Sequence, residues 1–168
     1  MSDERSAHGR LRPDMAVKDE WVFKAYDQAG VDVANISSHD LRYFSTVMVD
    51  GFGRIAPESL MNGLVSANTL SQAAGSVAPP PFVVREVPSR QPGAKPVRVA
   101  FIGLTETTPA PPAGFKFVDP AEAAKRIVPE AKKQANLVVV LAKITSQQEV
   151  ARIAREAPGI DVIIDGNS

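Results

Sequence analysis

The sequence predicts an α/β protein, a layered sheet whose C-terminal part runs strand, helix, strand, helix, strand with parallel pairing. Three observations carry this. Asp119-Pro-Ala-Glu122 and Ser146-Gln-Gln-Glu149 each place a capping side chain three residues ahead of a glutamate, the signature of a helix start. Apolar runs at Val97–Leu104, Leu137–Leu141 and Ile160–Ile164 alternate with the two helices so opened, which implies right-handed crossovers between parallel strands. Near the other end, Lys18–Ala29 carries Trp21, Val22, Ala25, Tyr26 and Ala29 at helical spacing, then Gly30 as a left-handed stop and the alternating Val31–Asn35.

Element by element, residues 1–17 lack apolar periodicity and read as a loose leader, leaving 18–168 as the folded domain. Helix 18–29 places Trp21 and Tyr26 in the core, and 31–35 is a short strand. A helix is expected within Leu41–Val49 and a turn at Asp50-Gly-Phe-Gly53, and Gly63–Asn68 is a short apolar strand ending in polar residues. Nine of the fourteen prolines lie between Pro79 and Pro112. They exclude helix there and fit a hairpin of Phe82–Val87 with Val97–Leu104, with Pro88–Pro96 as its exposed loop or, alternatively, a linker. In the last third, Pro120 suits the first helical position. Ala123, Ala124, Ile127, Val128 and Ala131 continue the stripe, which Pro129 must bend or split. Leu137–Leu141 is a buried strand. Val150, Ile153, Ala154 and Ala157 form the face of the second helix, which Pro158-Gly159 ends.

Composition excludes several functions. The chain has 168 residues, the length of about one domain. Its 19 basic and 19 acidic residues leave no global field for nucleic acid or an anionic membrane. Cysteine is absent, which removes disulfides, thiolate metal sites and a catalytic thiol. Only His8 and His39 could supply imidazole to a metal. The first ten residues are polar, without the apolar stretch of a secretory signal, so a cytoplasmic protein is the default expectation. No apolar run approaches the ~20 residues of a membrane span.

In open α/β sheets, ligands bind beyond the carboxyl ends of the strands. Here these ends are Asn35–Asp40, Ser66–Asn68, Thr105–Thr108, Ala142–Thr145 and Asp165–Ser168, rich in hydroxyls and poor in strong metal ligands. His39-Asp40 is the most reactive pair by composition. His39 reads either as a general acid or oxyanion stabiliser, or as a loop histidine satisfying backbone groups. Lys143 reads either as a point charge for phosphate or as a solvated lysine. Gly51-Phe-Gly53 lacks the third glycine and the strand-to-helix context of a phosphate cradle.

Six strings, in order, resemble calcineurin-like metallophosphoesterases of the 5'-nucleotidase branch. Gly30-Val-Asp-Val-Ala-Asn-Ile-Ser-Ser-His-Asp40 is similar to G-x-D-x-x-x-x-G-N-H-D/E, and Leu64-Val-Ser-Ala-Asn68 to (F/L)-L-S-A-N. Val99-Ala-Phe-Ile-Gly-Leu-Thr105 resembles V-G-I-I-G-L-T, and Asp119-Pro-Ala-Glu-Ala-Ala124 resembles D-P-V-E-A-A. Leu137-Val-Val-Val-Leu-Ala-Lys143 resembles D-V-V-V-L-S-H, and Pro158-Gly-Ile-Asp-Val-Ile-Ile-Asp-Gly166 resembles P-G-I-D-V-I-I-G-G-H-S-H. The resemblance implies a domain that is partial at both ends and a family chemistry of phosphoester hydrolysis with two divalent metals. It also marks departures. The D-x-H and G-D motifs expected before residue 20 are absent, and Ser38 stands in place of the metal-bridging asparagine. His39 matches the catalytic histidine, while Arg42 replaces the acidic residue three positions after it. Lys143 and Asn167 replace ligand histidines.

The resemblance therefore implies a degenerate domain, non-catalytic alone, that serves as a binding or assembly module. A homo-oligomer or a second protein chain is expected to cover an open sheet edge. One alternative is a phosphohydrolase holding a divalent metal (Mn, Zn or Mg) through Asp40, Asp165, His39 and Asn68. The other is a small anion-binding domain using Lys143, His39, Asn68 and Asn167.

Overall fold

The computed structural model describes residues 13–42, 62–72 and 78–166. Helix α1 (Pro13–Gln28) starts five residues earlier than its apolar stripe predicts, so 13–17 are helical and not leader. Pro13 opens it and Asp14 sits in its first turn, both of which suit a helix N-terminus. Gly30 ends the passage with φ 68°, a conformation that side chains disfavour. Residues 1–12, most of the expected helix 41–49 and the turn at 50–53 lie outside the described residues.

The ladder of the first strand is only β1 (Ala34–Asn35), paired parallel with β2 (Leu64–Val65). The chain continues through β3 (Thr69–Ser71), β4 (Phe82–Val87), β5 (Val97–Thr105) and β6 (Phe115–Phe117). Helix α2 (Pro120–Gln134), β7 (Leu137–Lys143), helix α3 (Gln147–Glu156) and β8 (Val162–Asp165) complete it. The main sheet has the order β4-β5-β7-β8. β4 and β5 form the predicted antiparallel hairpin, and β5, β7 and β8 are parallel as the alternation implies. The pairing of β3 with β6, antiparallel, was not foreseen, because three residues are too few to show a period.

Both predicted helix starts are present. Asp119 Oδ1 accepts the Glu122 amide at 3.0 Å, and Ser146 Oγ accepts the Glu149 amide at 3.3 Å. Pro129 does not split α2; it lies on the solvent side, where water can serve the carbonyl it leaves without an amide. α2 packs Ala121, Ala124, Val128 and Ala131 against Ala100, Ile102, Val138 and Val140 of the sheet, and Ile153 of α3 joins them. The small alanines bring the helix close to the sheet. Among the described residues no helix is long and apolar enough to cross a membrane.

Charged groups fasten the helices at their ends. Arg152 of α3 reaches Asp119 at the start of α2 and Glu149 at 2.6 Å, while Lys125 of α2 meets Glu156 of α3 at 2.8 Å. Asp161 Oδ2 accepts both the Lys132 ammonium (2.6 Å) and the Val138 amide (2.7 Å), joining the end of α2 to the starts of β7 and β8.

The opposite face of the sheet is different. Register places Val87, Phe101, Leu141, Val162 and Ile164 on it. Only part is covered, by β1 and β2. The strand predicted as buried is buried on both faces at its centre, Val138 to Val140, while Leu137 at its start is 41% exposed and the neighbouring β8 leaves Val162 (48%) and Ile164 (53%) open. Trp21 (63% exposed) and Tyr26 (40%) are not in the core as expected. Helical periodicity marks an apolar face, and here no described layer covers it.

Two expectations follow. A Cβ at Gly103 would overlap the Val65 carbonyl and Asn35 Oδ1, so Gly103→Ala should cost about 1–3 kcal/mol, read as a lower denaturation midpoint at unchanged slope. For acid, partial burial raises the Asp119 carboxyl. The Glu122 amide and Arg152 outweigh this and leave it below the usual range. Lys132 and the Val138 amide lower Asp161, and Lys125 lowers Glu156. A carboxyl lowered in the folded state stabilises above its unfolded pKa of about 4, and that stability disappears as pH falls through the folded value. The melting temperature should therefore drop below about pH 4, modestly because the pairs are exposed, and Asp161→Asn should flatten the drop.

Candidate functional site

The carboxyl ends of β1, β2, β5, β7 and β8 come together at one margin, with Asn35 and Gly103 at the contact. Asn35 Nδ2 donates to the Leu104 carbonyl at 2.7 Å, while its Oδ1 lies against Gly103 and is buried without a hydrogen-bond partner. Beyond Phe82, the first residue of β4, residues 66–68 take its place beside β5. The Ser66 amide donates to the Pro80 carbonyl (2.9 Å) and the Ala67 amide to the Gly103 carbonyl (2.7 Å).

Asn68 is fully buried and occupied. Its Nδ2 donates to the carbonyls of Thr105 (2.7 Å) and Val118 (3.1 Å), and its Oδ1 accepts the Thr105 amide at 2.9 Å. The Val118 amide returns to the Asn68 carbonyl at 2.9 Å. The amide thus ties the end of β5 to the entry of α2, and none of its hydrogen-bonding atoms faces solvent.

Asp40 is engaged similarly. Residues 38–42 are helical, and Ser37 caps them. The Ser37 amide (2.8 Å) and hydroxyl (2.7 Å) both donate to Asp40 Oδ2, the return half of a capping box. Buried Ile36 and Leu41 anchor this turn. His39 and Ser38 lie on it, half-buried. Lys143 ends β7 exposed, with its ammonium 3.4 Å from the Gly166 carbonyl. Asp165, at the neighbouring end of β8, accepts from Gln147 Nε2 at 2.8 Å. Asn167 lies outside the described residues.

A cavity of about 330 Å³ opens between the carboxyl ends of β5 and β7 and the starts of α2 and α3. Glu106, Asp119 and Glu149 line it together with Thr107, Thr145 and Ser146. Glu106 Oε2 accepts the Thr145 hydroxyl (2.6 Å) and amide (3.2 Å). Three carboxylates make this hollow unfavourable for phosphate despite two helix N-termini at its wall. Sequence reading missed the Glu106–Thr145 and Asp119–Arg152–Glu149 contacts. Asp119 and Glu149 were marked only by their capping boxes and Thr145 only by its place at a strand end, since long-range contacts leave no local pattern.

Three solved structures align with this architecture. A calcineurin-like phosphoesterase, YfkN from Bacillus subtilis, matches 92% of this chain and 51% of its own, at 18% identity and TM-score 0.64. The chain has a partial calcineurin-like phosphoesterase fold. A putative 5'-nucleotidase from Staphylococcus aureus, solved with alpha-ketoglutarate, matches 88% of this chain and 31% of its own, at 16% identity and TM-score 0.59. The 5'-nucleotidase from Candida albicans SC5314 matches 80% and 26%, at 14% identity and TM-score 0.52. This phosphoesterase-like chain thus spans about half of these proteins or less. Its sequence matches no family model and no curated protein.

The resemblance of the sequence motifs implies two divalent metals, and the residues at this margin do not fit such ions. Among the described residues, no three of the ligating types His, Cys, Asp and Glu cluster so as to hold one. Asn68 turns both amide atoms to backbone, Asp40 holds a cap, and Lys143 puts a cation at a strand end.

Asn68→Ala would leave the amide of Thr105 and the carbonyl of Val118 without their buried partner. The expected cost is about 2–4 kcal/mol in chemical denaturation. A ligand-binding asparagine at an exposed margin would show almost none.

Proposed function

We propose that the chain is a degenerate 5'-nucleotidase-branch phosphoesterase domain, non-catalytic by itself, that acts as a binding or assembly module. The observation that carries this reading is the engagement of its carboxyl-end donors in the fold's own hydrogen bonds. Asn68 and Asp40 serve backbone groups, and Asp165 serves Gln147. His39 retains a histidine of the family motif, but the acidic residue three positions on is Arg42. The partly uncovered sheet supports the assembly half of the reading, because exposed contiguous apolar surface of this kind marks interaction sites.

Metal analysis of the purified protein, with hydrolysis of nucleoside monophosphates in Mn²⁺ or Co²⁺, tests it. Sub-stoichiometric metal is expected, together with a phosphate release rate that His39→Ala leaves unchanged. Two equivalents of metal with turnover abolished by His39→Ala would establish a rearranged phosphohydrolase instead.

A further inference from the structure

We infer that Asn62 is a site of spontaneous modification, where the nitrogen of Gly63 closes on the side-chain amide and converts it to isoaspartate and aspartate. Arg85 directs the outcome toward isoaspartate.

Among the asparagines of the described residues, Asn35 and Asn68 donate from Nδ2 to main-chain carbonyls, both at 2.7 Å, and Asn136 Oδ1 accepts the Arg98 amide at 2.9 Å. Ile36, Thr69 and Leu137 follow them. Asn62 differs in both respects. It is exposed in the turn before β2, and among the described residues no hydrogen bond occupies its side-chain amide. Gly63 follows it, the only glycine in the chain that comes directly after an asparagine. Without a Cβ, the Gly63 nitrogen is not shielded from the neighbouring side chain. Packing also keeps the pair in place: a Cβ at Gly63 would stand 2.2 Å from the Asp32 carbonyl oxygen.

The Gly63 nitrogen gives its proton to hydroxide and bonds to Asn62 Cγ. The Cγ–Nδ2 bond breaks, Nδ2 takes a proton from water and leaves as ammonia, and a succinimide closes; proximity makes this a unimolecular step. Water then opens the ring at one of two carbonyls. Addition at Cγ breaks the new bond and gives aspartate. Addition at the main-chain carbonyl breaks the original peptide bond and gives isoaspartate, with the chain running through Cβ and Cγ. Arg85 Nη2 donates to that main-chain carbonyl at 3.0 Å. A guanidinium there stabilises the oxyanion of the second addition, which favours isoaspartate. The extra main-chain carbon falls directly before Gly63, whose carbonyl accepts the Ala34 amide at 3.0 Å where the β1–β2 pair begins. Modification of this turn therefore loosens the pairing of those strands.

Incubating the full chain in mildly alkaline buffer, then mapping peptides by mass spectrometry with isoaspartyl methyltransferase labelling, tests this. In the folded protein Asn62 should convert ahead of Asn35, Asn68 and Asn136, faster as pH rises, and the converted fraction should melt at a lower temperature. Asn62→Gln requires a larger ring and should slow conversion at this position by about tenfold or more. The urea-unfolded chain, in which Arg85 holds no carbonyl, supplies the reference ratio of isoaspartate to aspartate. The folded ratio should exceed it by about two- to fivefold, the worth of one exposed charged contact, and Arg85→Gln should abolish the excess. A folded protein whose Asn62 stays intact while the unfolded chain converts overturns the inference. A product ratio unchanged by both unfolding and Arg85→Gln overturns the role of Arg85.

Discussion

The side-chain amide of Asn68 is the interaction on which the arrangement of this chain depends. Three backbone groups from two distant segments need partners where β5 ends and α2 is about to begin, and a single buried amide supplies all of them. Without it the strand end would open to water and the start of α2 would lose its bearing. The nearby bareness of Gly103 is a companion constraint, since only a residue without Cβ lets β2 and Asn35 pass so close to β5. Together they bring the carboxyl ends of five strands to one margin. The Asn68 amide, so engaged, is also withheld from any ligand at that margin.

Much of the fold was legible because its determinants are local. Asp119 and Ser146 announce their helices through a side chain and an amide three residues apart. The runs at 97–104 and 137–141 are long enough to show that they are strands. Parallel pairing then follows from chain handedness. What stayed hidden has the opposite character. The β3–β6 pair joins two three-residue segments, 46 positions apart at the central partners Leu70 and Lys116, and neither carries a signal of its own. Trp21 and Tyr26 show the limit of periodicity most plainly, for the stripe is real and its covering layer is not among the described residues.

The candidate site was legible in its composition and illegible in its wiring. The scarcity of histidine and the Lys143 and Ser38 replacements can be read by eye. That Asn68 points inward and Asp40 closes a cap cannot, because an asparagine after a strand and an aspartate after a histidine have the same local sequence whether they hold a ligand or the backbone. Resemblance offered a list of positions where chemistry would sit in a phosphoesterase. Hydrogen-bond partners distinguish a position kept for chemistry from one kept for folding.

Asp119 has a consequence for the order in which the molecule comes apart. One of its carboxylate oxygens caps α2 and the other holds Arg152 of α3, while Lys125 and Glu156 bind the same helices about one to two turns away. Neither helix can come away at these contacts without disturbing the other, so α2, α3 and the strand β7 between them form one cooperative unit of opening. α1, which shares none of these ties, belongs to a separate and shallower one. In amide exchange the chain should behave as two bodies of unequal persistence.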